Sequence, residues 1–230
     1  MKFLGLKRFP QEHSTCCIAA SASVANYYDP SIDYRHTAKI AKEINFDSNQ
    51  GLYPGDIGIL LNRLGFRSVT IVLCDLDYLD WSWKRLSKKR LIQKIKRQRS
   101  IGHTCKMLSN TIVSFLETKG CKNKLIIDFK FGKYIRQYLS HYKPIVIDFN
   151  WTLLFESPKV KNEWELHSVA ARGYTEKGVS VVDSFYDSSI YPNKTPRYLI
   201  PWESLATAMG MSSCVYLPDD FRSQNAQEIG

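Results

Sequence analysis

The alternation of apolar and polar positions divides the chain into a short series of elements. The run Cys16-Cys17-Ile-Ala-Ala-Ser-Ala-Ser-Val-Ala-Asn-Tyr27-Tyr28 is almost all small side chains, with Ser14 and Thr15 ahead of it as good N-cap residues. It therefore reads as a helix that other backbone can approach closely. Ala38, Ile40, Ala41 and Ile44 recur at near-helical spacing and predict a second helix over 33–45. Gly51-Leu-Tyr-Pro-Gly55 reads as a turn, and Asp56 is expected to cap a third helix through Ile57, Ile59, Leu60, Leu61 and Leu64 that Gly65 ends. The β-branched stretch from Arg67 to Leu73 predicts a strand. Residues 75–125 carry only a ragged apolar face (Leu86, Leu91, Ile92, Ile95), with a further helix over 106–119, and read as an insertion or subdomain. Beyond them the pattern predicts a helix over 131–142 and a core strand over 144–149. Then come a hairpin of 165–174 and 179–186 around Thr175-Glu-Lys-Gly178, a short helix from Pro201 to Met209, and a strand from Ser213 to Leu217. The polar end from Asp219 to Gly230 reads as a flexible tail.

With 230 residues, 44% of them apolar and 13% aromatic, the chain can bury a sizeable core, and the expectation is one domain over 1–218 with the insertion at about 75–125. Lys7, Arg8 and Pro10 interrupt the first apolar run, which argues against a signal peptide, and no stretch is long enough to span a membrane. A cytoplasmic location is the resulting expectation, with delivery to another cell as an effector left open. The six cysteines (Cys16, Cys17, Cys74, Cys105, Cys121, Cys214) are scattered without a CxxC or a zinc-like pairing with histidine. They read as mostly reduced thiols, and neither a metal nor a cofactor is expected.

Charge changes the picture at one place. The formal net charge is +10, and the acid-free stretch Lys84, Arg85, Lys88, Lys89, Arg90, Lys94, Lys96, Arg97, Arg99 and Lys106 holds as many cations as the whole excess. Such a run is either a solvated helical face or a contact for an acidic partner, phosphates or anionic lipid headgroups. No nucleic-acid motif accompanies it, so nucleic acid is the least favoured of these.

The candidate chemistry lies elsewhere. A cysteine in the first turn of a helix feels the positive end of the dipole and unpaired amides, both of which favour thiolate. The same pair can equally be small buried core residues. His167 lies on a predicted core strand and Asp183 on the next, sixteen residues further on, at an offset of a few residues about the turn that a bulge could absorb. Gln11 stands just upstream of the thiols. A lone core histidine or strand-end aspartate says little. In the order Gln, Cys, His, Asp they supply nucleophile, base, orienting acid and oxyanion donor for acyl transfer from an amide.

The segment from Gln11 to Tyr28 resembles the active-site segment of papain-like cysteine peptidases of the C39 type, where a Gln stands six residues before the Cys and a small-residue helix follows. That spacing falls on Cys17, with Ala19 and Ala20 on the family's small residues. Residues 51–67 resemble the helix and Leu-Gly-Phe turn that come next, and His167-Ser-Val-Ala-Ala-Arg-Gly-Tyr174 with Val181-Val-Asp183 resembles the family's His and Asp hairpin. The full layout, including the insertion and the ending Cys214-Val-Tyr-Leu-Pro-Asp219, is similar to a branch described as guanylyl-cyclase-like. The resemblance implies an α+β papain-like fold, with an N-terminal helical part whose nucleophile helix packs on a C-terminal antiparallel sheet. It also implies a peptide or protein substrate and a triad of Cys17, His167 and Asp183 with Gln11 in the oxyanion hole. Ile18 stands where the family usually has Gly, and Cys16 where it usually has an acid. A slip of one residue makes Cys16 the nucleophile, and the pair could also close as a vicinal disulfide. Two other readings stay open: a nucleotide cyclase, which the lack of a Gly-rich phosphate loop and of a metal-binding carboxylate pair opposes, and a degenerate binding module.

Overall fold

A computed structural model describes residues 3–12, 14–44, 46, 51–75, 78, 81–83, 85–154, 166–185, 195–210 and 213–223. Lys84 of the basic run and residues 224–230 of the expected tail lie outside these. The described residues form an α+β structure in which eight α-helices flank a seven-stranded mixed sheet.

In chain order, α1 is Cys16–Tyr28, α2 is Tyr34–Lys42, α3 is Pro54–Arg63 and β1 is Phe66–Cys74. The basic stretch forms α4 (Lys88–Ser100) and leads into α5 (Lys106–Glu117) and β2 (Lys124–Ile127). Next are α6 (Phe131–Ser140), β3 (Ile145–Asn150), the single turn α7 (Trp151–Leu154), β4 (Leu166–Tyr174) and β5 (Gly178–Val182). Last are β6 (Arg197–Pro201), α8 (Trp202–Ala208) and β7 (Ser213–Phe221).

The sheet order is β2-β1-β7-β3-β4-β5-β6. Only β1 and β2 run parallel, so the expected antiparallel sheet is antiparallel from β1 through β7 to β6 and mixed at one edge. Two cores cover its faces. On one, Ile71, Val146, Ala170 and Tyr216 meet apolar residues of α1, α3, α4 and α5. On the other, Val72, Ile147, Val169 and Val215 meet α6 and α8. Burial of both faces explains why the central strands read as unbroken apolar runs.

Several sequence expectations need adjusting. The third helix starts at Pro54 with Tyr53 as N-cap, and Asp56 is a buried residue of its first turn. Proline suits the first helical position because its missing N–H would have no partner there. Gly65 does end the helix, at φ +114, where a side chain would be strained. The insertion does not stand apart, because Ile95, Leu108, Ile112 and Phe115 belong to the main core. Gly55 permits this, since a Cβ there would lie 2.0 Å from the Thr111 backbone. At the other end β7 runs on through Asp219 to Phe221, past the point where a tail was expected.

Candidate active site

The first turn of α1 is built by the loop before it. Ser14 adopts φ 55, and Thr15 is the N-cap, although its side chain makes no capping bond. Thr15 Oγ1 instead donates to Glu12 O (2.9 Å) and accepts from Glu12 N (2.9 Å) and Tyr34 Oη (3.0 Å). The loop is thereby tied down while the first-turn amides of α1 have no partner inside the helix. Residues 17–25 are all buried, which their small size allows, and Phe9 of the N-terminal segment packs on Ala19 and Ala22.

His167 and Asp183 meet across β4 and the end of β5. His167 Nε2 donates to Asp183 Oδ1 at 2.7 Å, leaving Nδ1 to face Cys16. Asp183 is fully buried, and it also accepts from Phe185 N (2.9 Å) and Tyr198 Oη (2.7 Å). A bulge lies between Ala171 and Gly173. Its effect is on side-chain facing. Continued in the register of Gly173 with Ser180, Asp183 would oppose Ala170 and point away from His167. The shift brings Asp183 opposite Val169, on the face His167 occupies, since one residue of slip exchanges the faces of a strand. Trp151, with its ring centroid 5.7 Å from the imidazole, and Phe149 at 6.0 Å enclose the pair.

The two cysteines differ. Both line the cleft, but Cys16 is partly exposed, whereas Cys17 is 3% exposed and belongs to the main core. The adjoining Cys17 thiol, with the neighbouring His167 and the Ser168 amide, holds Cys16 well below the ordinary thiol range, against the cost of desolvating its sulfur. Cys17 is correspondingly pushed well up, by the adjoining Cys16 thiol, by burial and by the negative charges of Cys16 and Asp148. Burial opposes charge on His167, but Asp183 and Cys16 outweigh it and hold the imidazole well above the usual histidine range. Cys16, at the first residue of α1, and His167 thus each favour the charged form of the other.

A cleft of about 900 Å³ opens over this pair. Leu52, Tyr53, Pro54 and Ile57 form one wall, and Trp151, Leu166 and Phe185 another. Gln11 reaches it from the N-terminal segment. Ser184 Oγ donates to Gln11 Oε1 at 2.7 Å, which turns the amide NH₂ away from that contact. Arg8 anchors the same segment by donating to Asp183 O and Ser184 O, each at 2.9 Å.

No protein-family profile and no curated protein matches the chain. Among solved structures, it is similar to one titled "Crystal structure of an putative C39-like peptidase from Bacillus anthracis", at 12% identity and a TM-score of 0.48, over 96% of this chain and 100% of that one.

Gln11, the two cysteines, His167 and Asp183 thus come together. Arg85, Lys88, Lys89, Arg90, Lys94, Lys96, Arg97 and Arg99 do not, since none lines the cleft. Among the described residues no cluster of three or more His, Cys, Asp or Glu could hold a metal ion. One residue of the site escaped the sequence reading. Asp148, in the middle of β3, lines the cleft floor, accepts from Ser168 Oγ and from Tyr216 Oη (2.7 Å), and faces Cys17. Burial raises its carboxyl to about 7 against the two hydrogen bonds. The signal was available: one carboxylate in the apolar run Ile145-Val-Ile-Asp148-Phe149.

Proposed function

We propose that the protein is a cysteine-nucleophile amidohydrolase of papain-like architecture, acting on peptide or protein amides, with Cys16 as nucleophile. The observation that carries this reading is the placement of Cys16 at the first residue of α1, lining the same cleft as His167, which Asp183 holds from behind at 2.7 Å. Cys17, the residue favoured by sequence spacing, becomes the neighbour that steadies the thiolate.

In this mechanism the Cys16 thiolate attacks the amide carbon and forms a C–S bond while the carbonyl oxygen takes up the negative charge. Gln11 Nε2 and the first-turn amides of α1 receive that oxyanion. The His167 imidazolium passes its proton to the departing amine as the C–N bond breaks, leaving a thioester and neutral imidazole. His167 then takes a proton from water, whose oxygen displaces the thiolate and releases the acid, which restores the ion pair. Asp183 holds the imidazole in the ring orientation both steps need. The apolar walls suit a substrate with apolar side chains around the scissile bond.

Alkylation by iodoacetamide across about pH 5–9, read by mass spectrometry, tests the assignment. Cys16 should label fast well below the pH at which an ordinary thiol ionises, and His167→Ala should slow this about 100-fold. Cys16→Ala should abolish cleavage of a fluorogenic peptide-amide library. Rapid labelling of Cys17 alone would transfer the role to Cys17. Slow labelling of both thiols, indifferent to His167, would overturn the enzyme reading. The guanylyl-cyclase-like reading requires divalent-metal-dependent turnover of GTP that survives loss of both thiols, and the same variants decide it.

A further inference from the structure

Helix α4 carries its charge in a place that helix stability does not explain. Ser87 caps it, accepting from Arg90 N at 3.4 Å, and Lys88, Lys89 and Arg90 then occupy the first turn with no acid among them. Cations at a helix N-terminus oppose the dipole, so these three weaken the helix that bears them. Leu91 and Ile95 turn inward, while Lys88, Lys89, Arg90, Gln93, Lys96 and Arg97 are exposed. Some cations of the stretch are engaged: Lys94 lies over the Trp83 ring at 3.9 Å, Arg99 bonds Asn110, and Lys96 pairs with Glu117 at 3.0 Å. Among the described residues, no carboxylate pairs with Lys88, Lys89, Arg90 or Arg97.

The exposed face ends in apolar side chains. Arg90, Gln93, Arg97 and Ile101 succeed one another at helical spacing, and Ile101 is 67% exposed. Across the turn that Gly102 makes at φ +73, Met107 at the start of α5 is 48% exposed. A cationic stripe ending in two exposed aliphatic side chains has the chemistry of a helix lying in the headgroup layer of a membrane.

We propose that α4 docks the protein on an anionic lipid surface, with Lys88, Lys89, Arg90 and Arg97 against the headgroups and Ile101 and Met107 entering the interface. The aliphatic end decides for lipid over nucleic acid. Single-strand binding uses exposed rings for stacking, and among the described residues of α4 and the turn into α5 the exposed large apolar side chains are Ile101 and Met107, neither aromatic. The proposal is independent of the chemistry assigned to the cleft.

Sedimentation of the full chain with phosphatidylcholine vesicles, with and without phosphatidylserine, tests it. Binding should require phosphatidylserine and weaken with salt. It should fall about 100-fold or more in the quadruple variant K88S/K89S/R90S/R97S, and about ten-fold in I101S/M107S. Unchanged iodoacetamide labelling at the cleft thiols verifies that both variants are folded. Three results would each overturn the proposal: no phosphatidylserine-dependent sedimentation, full binding by either variant, or capture of an RNA or DNA oligonucleotide by a chain that ignores the vesicles.

Discussion

Cys16 and Cys17 are neighbours in sequence and both line the cleft, yet a helix turns successive side chains about 100° apart, so one is partly exposed while the other also packs into the core. That difference has measurable consequences. Cys17→Ala removes the thiol that stabilises the Cys16 thiolate, so the acid limb of the labelling profile should move to higher pH, while Cys17→Ser should retain most of the wild-type position. Catalytic efficiency should be bell-shaped, rising as Cys16 ionises well below 9.0 and falling as His167 deprotonates well above 6.5. The raised His167 also stabilises the fold, fully below about 6.5, and that contribution fades as pH climbs through its folded-state value. Asp148 moves stability in the same direction with pH, as a growing cost rather than a fading gain. Its carboxyl is raised from 3.8 to about 7, so folding carries no charge-burial cost below 3.8, a growing cost up to about 7 and a constant one above. The full span corresponds to at most about 4 kcal/mol. Asp148→Asn should therefore gain unfolding free energy over wild type between those limits, measured by urea titration at a series of pH values. A pH-independent difference would mean that Asp148 does not titrate there.

Among the elements, the bulge in β4 and the close approach of α3 to α5 do most to shape the site. Gly55→Ala forces a Cβ against the Thr111 backbone, at the start of the helix that walls the cleft, and should cost about 1–3 kcal/mol in urea unfolding. The long elements were legible because their burial is one-sided or complete: α3, α5, β1 and β3 each lie within a few residues of the expected bounds. β2 and β6 were not. Lys124–Ile127 is four residues with a charged lead, and Arg197–Pro201 alternates weakly and ends in proline, so each depends on its neighbour in the sheet more than on its own pattern. The candidate site was legible as a set of residue types, but which of Cys16 and Cys17 is the more exposed at the start of α1 is not encoded in spacing.

The molecule as a whole closes on its site from three distant parts of the chain. Arg8 grips the carbonyls of Asp183 and Ser184, Gln11 is held by Ser184, and α1 follows directly. Arg8→Ala should leave a folded protein in which Cys16 labels about ten- to a hundred-fold more slowly at acid pH, the scale of loss that small misplacements bring. A labelling profile identical to wild type would reduce Arg8 to a surface anchor. The position of β7 has a separate consequence, for biosynthesis. It follows every other element along the chain yet lies between β1 and β3, joining the two halves of the sheet. At about 5–20 residues per second, on the order of ten to forty seconds separate emergence of the thiols from arrival of this strand. Until then the half carrying the histidine hairpin is not joined to the half on which α3 packs. With Cys16 as nucleophile, a nascent chain would thus carry ordinary, slow-reacting cysteines until β7 has emerged and paired with both halves.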